Sequence, residues 1–304
     1  MSEPKKRLIL ATLEVLRKYT DVEHPLKQVK IQDLIFEEYG LTIDRKSLKR
    51  NLDELQEAGY PIEGGASWCY VHEFHSSELN LIADSLLYNP AVPWKQCHEI
   101  VEKLRSLGSK YYEPTTGESL TRPANSEFLV TLDALHEAIA KRKKVCFRYC
   151  HYDVDKQLHP TTRKDGSIRT LTVSPYRVVQ SGGRYYLIGN TDGHDGIAHY
   201  RLDRIRELRI TKTVIRSLRD VEGGTALYNM PRYLAEHPHM FSGPVITARL
   251  RASRKMAGDI LDWFGMETQF VNIQEDTMEA VVRVDARSLG YWLKQYDEDV
   301  CQIQ

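Results

Sequence analysis

The sequence predicts a multidomain α+β protein, and three observations carry that reading. Residues 5 to 60 hold three amphipathic helical patterns, and a pair of strand patterns joined by Gly64-Gly65 follows. Residues 128 to 220 run as short strand patterns broken by Gly-rich turns, as a small β-barrel does. From Pro244 onward the order is strand, helix, strand, strand, helix, strand. The expected divisions are 1–75, 76–127, 128–220 and 221–304.

Each element has a local reason. KKRLILATLEVLRKY sets Leu8, Leu13, Val15 and Leu16 among polar residues, and KIQDLIFEEYG stops at Gly40, a natural helix end. The third helix begins near Thr42 or Asp44, both plausible caps, and closes at Gly59-Tyr60-Pro61. Its Leu48, Leu52 and Leu55 fall at i, i+4 and i+7, one buried stripe. Three helices and a hairpin of this length describe a winged helix-turn-helix. Next, SSELNLIADSLLY and WKQCHEIVEKLRSLGS read as a helical linker region divided by Asn89-Pro90 and Pro93, and EPTTGESLTRPANS reads as turn-rich chain. The helix LVTLDALHEAIAKRK precedes strands KVCFRYCHY, RTLTVSPYRVVQ, GRYYLIGN and IAHYRLDRIRELRIT. Cations of the run KRKK at 141–144 suit the C-terminal end of that helix. VITARLR, SRKMAGDILDWFG, METQFVNI, TMEAVVRVD, RSLGYWLKQY and DVCQIQ complete a ferredoxin-like βαββαβ order.

The totals exclude several classes. No apolar run approaches the roughly 20 residues of a membrane span. The basic start lacks the continuous apolar core of a signal peptide, so a cytoplasmic protein is expected. Five cysteines form no CxxC pair, and Cys146 and Cys150, with His151 beside them, are too widely spaced on a strand pattern to favour a metal knuckle. Formal net charge is zero, but it is unevenly spread: residues 128–220 carry 18 Lys+Arg against 10 Asp+Glu. That basic block suits an anionic partner.

The third helix has inverted charges. Helix dipoles favour acids in the first turn and bases in the last. Here Arg45, Lys46, Lys49 and Arg50 occupy the first half, and Asp53, Glu54 and Glu57 the second. Lys46, Lys49, Arg50 and Asp53 lie opposite the leucine stripe, with Arg45 at its edge. Ion pairing does not explain the layout, since Arg50-Glu54 attract but Asp53-Glu57 repel. A helix entering the major groove of double-stranded DNA by its N-terminal half needs this arrangement. Arg45, Lys46, Ser47, Lys49 and Arg50 are the expected DNA-binding residues.

The pattern DRKSLKRNLDELQEAGYPIE resembles the recognition helix of DeoR-type winged-helix regulators, with Arg50-Asn51 where those usually read Arg-Asp. SPYRVVQSGGRYYLIGN and HYRLDRIREL resemble the WYL domain, with Tyr185-Tyr186-Leu187 in place of Trp-Tyr-Leu. The closing unit looks like the C-terminal extension of that family, many of whose members carry a further helix beyond the point where this sequence ends. The resemblance implies a homodimeric bacterial transcriptional regulator that binds an operator. It also implies a WYL domain that is an Sm-like (SH3-like) barrel sensing single-stranded nucleic acid or a nucleotide.

Strand alternation supplies candidates for that sensor. A hairpin centred between Gly193 and His194 sets Tyr186 opposite Arg201, an aromatic plane beside a guanidinium, with Arg204 as a second cation. Ser174, Arg177, Arg148 and His159 lie on neighbouring strands or turns as further ligand-binding candidates. Two alternatives remain: an Sm-like RNA-binding protein without operator binding, and a metal-dependent enzyme built on His151, Asp153, Asp155 and His159, or on His194, Asp195 and His199. The sequence contains no GxSxG, Walker loop, HExxH or GxGxxG, so no catalysis, metal or cofactor is expected.

Overall fold

The computed structural model describes residues 3–114, 127–296 and 298–303. The chain divides into two compact units, 1–121 and 122–304.

The first unit opens with helices α1 (Glu3–Tyr19), α2 (Gln28–Tyr39) and α3 (Arg45–Glu57). Strands β1 (Ile62–Gly64) and β2 (Trp68–Tyr70) then pair antiparallel. Leu16, Ile31, Ile35, Leu48 and Leu52 are fully buried where the helices meet, and Trp68 joins their core. Gly40 ends α2 with φ 63°, its N–H bonded to the Phe36 carbonyl. Of the two caps considered for α3, Asp44 is the one used. Its carboxylate accepts from the backbone N–H groups of Lys46 and Ser47 at 2.9 and 3.0 Å. Helices α4 (Ser76–Leu87) and α5 (Trp94–Arg105) follow, burying Leu79, Ala83, Leu87, Cys97 and Val101. Most of the turn-rich segment, residues 115–126, lies outside the described residues.

The second unit begins with α6 (Phe128–Ala140), then β3 (Lys143–Tyr152), β4 (Leu158–Pro160), β5 (Thr170–Ser181), β6 (Arg184–Thr191), β7 (Ala198–Arg201) and β8 (Ile205–Val214). All pairings are antiparallel: β3 with β4, β5 and β8, then β5 with β6 and β6 with β7. Phe128, Leu135 and Ala138 of α6 are buried. Gly182 and Gly183, with φ of 54° and 71°, make the two-residue turn between β5 and β6.

Two expectations are corrected here. KRKK does not finish a helix: α6 ends at Ala140, Arg142 turns left-handed with φ 51°, and Lys143 and Lys144 start β3. IAHYRLDRIRELRIT is not one strand either, because a 3-10 turn at Leu202–Arg204 separates β7 from β8. Leu202 and Asp203 are both buried in that turn, which strand alternation alone does not allow.

The chain continues through α7 (Met230–Glu236), absent from the sequence reading, whose first turn is capped by the Asn229 side chain. Then come β9 (Val245–Ser253), α8 (Ala257–Phe264), β10 (Gln269–Val271), β11 (Thr277–Asp285), α9 (Ala286–Gln295) and β12 (Val300–Gln302). Their antiparallel sheet has the order β10-β11-β9-β12. Alternate residues Ala248, Leu250 and Ala252 of β9, and Ala280, Val282 and Val284 of β11, share one core with Ile260, Phe264, Leu289 and Trp292.

Candidate functional site

The basic half of α3 is a surface. Arg45, Lys46, Lys49 and Arg50 are exposed, while Ser47 is half-buried beside the cap. Arg45 Nε donates to Gln28 Oε1 at 3.2 Å. Lys49 pairs with Asp53, and its ammonium stands 4.6 Å from the centre of the Trp68 ring. Arg50 reaches Glu54 at 3.7 Å. The Lys49-Asp53 contact is a correction: i,i+4 pairing engages two of the four cations rather than one. Both pairs are solvent-exposed and worth about 0.5 kcal/mol each, so phosphates can displace the carboxylates at little cost.

The second region lies wholly within residues 122–304. The register sets Tyr186 of β6 opposite Arg201 of β7. Both line a cleft of about 990 Å³ together with Arg184, Arg204, Tyr149 and His199. Arg201 is not a free cation. The 3-10 turn folds Asp203 back onto it, with Nε to Oδ1 at 3.0 Å and Nη2 to Oδ2 at 2.6 Å. Asp203 is only 4% exposed, and Arg184 also approaches it at 3.7 Å. Burial opposes the charge on Arg201, but Asp203 outweighs it and holds the guanidinium pKa above its ordinary value. The backbone N–H of Arg201 donates to Tyr149 Oη at 3.1 Å, which fixes β7 against β3.

Arg204, at the end of the same turn, is different. Its Nε is buried and has no hydrogen-bond partner. His199 sits 2.7 Å from Tyr233 Oη through Nε2 and 3.2 Å from Ser242 Oγ through Nδ1. Burial, helped by the neighbouring His237, pulls its pKa down to about 4, so the ring is neutral at pH 7. The opposite wall comes from the C-terminal segment: Leu234, Pro238, His239, Met240, Phe241 and Trp263. Those residues, with Arg184 and Tyr149, were missed from sequence, and His199 was named there only for the enzyme alternative. Arg184 left a trace, since it borders the Gly182-Gly183 turn and lies two residues from Tyr186 on the same strand.

The remaining candidates do not join the cleft. Ser174 is fully buried, and its hydroxyl accepts the Arg216 N–H at 3.0 Å. Arg177 is exposed, across from Ile188 in the register. Arg148 pairs with Glu207. His159 Nε2 lies 2.7 Å from Asp155, and its ring is 6.5 Å from that of His151. Among the described residues no three His, Cys, Asp or Glu side chains converge as metal ligands, and the cysteines are free thiols. No described helix is long and apolar enough to cross a membrane.

No curated protein matches the chain. Among solved structures it is similar to proteasome accessory factor B/C (PafBC) of Arthrobacter aurescens, at 16% identity and a TM-score of 0.31. That alignment covers 99% of this chain but 46% of the other, so the chain spans about half the length of its neighbour. Residues 130–210, from α6 into β8 and including Tyr186, Arg201 and Arg204, match the WYL domain, and the chain therefore carries one.

Proposed function

We propose that this protein is a DNA-binding transcriptional regulator whose WYL domain senses a nucleotide or single-stranded nucleic acid. In this reading α1 to β2 form a winged helix-turn-helix of DeoR type and α3 is the recognition helix. The WYL strands form an Sm-like barrel, and the closing βαββαβ unit is a ferredoxin-like extension. A homodimer would present two such helices to an operator with paired half-sites. The protein would work in the cytoplasm, without a cofactor and without catalysing a reaction.

The observation that carries the proposal is the exposed basic face of α3. Four cations stand on the N-terminal half of a capped helix, against the preference of its dipole. Two of them, Lys49 and Arg50, are held by exposed i,i+4 pairs, and Lys49 also rests against the Trp68 ring. Such a face gains from phosphates what it loses in isolation. The test is a binding titration on the DNA upstream of the protein's own gene, at several salt concentrations, with and without single-stranded oligonucleotide. Binding that weakens steeply with salt and changes with the oligonucleotide is expected. No salt-sensitive binding to any duplex would end the regulator reading, and steady turnover of a substrate would replace it with an enzyme.

A further inference from the structure

We infer that the C-terminal segment completes the effector cleft: His239, Phe241 and Trp263 form a wall that stacks a nucleobase, and Arg204 holds the adjoining phosphate. This rests on the reading of the cleft as the effector site and adds how the ligand is divided between its walls.

The wall is already a stack. The His239 ring lies 5.2 Å from that of Trp263 at 22° and 5.8 Å from that of Phe241 at 16°. Arg287 backs it, 4.5 Å from the centre of the Phe241 ring. Burial lowers the pKa of His239, which keeps its ring neutral and favours flat π contact over ion pairing. All three aromatic residues line the cleft and are half-buried. A base continues such a stack whatever its identity, because each base offers a π face.

Charge on the facing wall is unequally available. Arg201 and Arg184 share the carboxylate of Asp203. Arg204 has no such carboxylate, and its buried Nε lacks a partner. His239 Nδ1 is the second buried polar atom of the cleft without one. Arg204 thus lines the cleft as a cation without a carboxylate of its own, and a ligand phosphate is the anion it lacks. A purely apolar ligand leaves Arg204 unmatched, and inorganic phosphate leaves the aromatic wall uncovered. A nucleotide meets both, and a cleft of about 990 Å³ admits one.

The test titrates the full chain with thymidine monophosphate, a short oligothymidylate and an abasic phosphodiester of the same length. The wild type is expected to prefer oligothymidylate to the abasic strand by about tenfold or more. Trp263→Leu and His239→Ala lose that preference, while Trp263→Phe keeps it. Arg204→Gln weakens both strands and reduces the slope of log affinity against log salt by about 0.7. Monophosphate binding as tight as that of the strand assigns a free nucleotide as the ligand; strand binding alone assigns single-stranded nucleic acid. If the wild type prefers bases but Trp263→Leu and His239→Ala retain the preference, the stacking wall is overturned and the effector reading survives. Equal binding of base-bearing and abasic strands also overturns the wall. Binding of none of the probes removes both.

Discussion

The cations of α3 and those of the cleft differ in what holds them. Lys49 and Arg50 pair with carboxylates whose side chains are 44% exposed. Arg201 pairs with one that is 4% exposed. Water screens the first kind of contact and leaves it nearly neutral in energy, whereas the second compensates a charge that could not otherwise stay buried. The same residue chemistry is thus a loose coating in one place and a fixed framework in the other. Only the loose kind can exchange partners along a duplex without disturbing the fold.

The sharpest way to break this contrast is Asp203→Ala. It leaves Arg201 without its buried partner and should lower unfolding stability by about 3 kcal/mol or more, measured by denaturant titration. A loss under about 1 kcal/mol would place the pair among the screened contacts. Acid is the second probe. His199 titrates near 4 when folded and near 6.5 when unfolded, so between those values the unfolded chain takes up a proton that the folded site refuses. Stability should be unaffected by this group above about pH 6.5 and fall by on the order of 1 kcal/mol per pH unit toward pH 4. His199→Gln should flatten that slope.

On α3 the effects move from stability to binding. Arg50→Ala should weaken duplex binding by about 1–3 kcal/mol and leave the melting temperature nearly unchanged. Arg201→Ala should spare operator binding and alter the response to oligonucleotide; equal loss of operator binding in both variants would erase the division of labour. The smallest effect belongs to Asp53→Asn. It removes the partner of Lys49 and should change stability by no more than about 0.5 kcal/mol, and duplex affinity should rise slightly as an anion leaves the surface.

Much of this was legible in the sequence where local rules apply. The leucines of α3 and the Asp44 cap follow helix period and side-chain chemistry. The Tyr186-Arg201 register followed from placing the hairpin centre beside Gly193. What the sequence hid depends on chain reversal and distance. Asp203 stands two residues from Arg201, but only the 3-10 turn brings its carboxylate onto the guanidinium. His239 and Trp263 belong to a loop and a helix with no shared period, and nothing in their spacing indicates that they stack or that they face β6 and β7.

The Asp203 carboxylate has a consequence for any anionic visitor. At Arg201 the visitor meets a seat already taken, so what it gains there is only the margin between an outside anion and a resident one. Because that resident is buried and part of the framework, the visitor does not displace it. An anion in this cleft would be held by the groups around Arg201 and not by Arg201 itself.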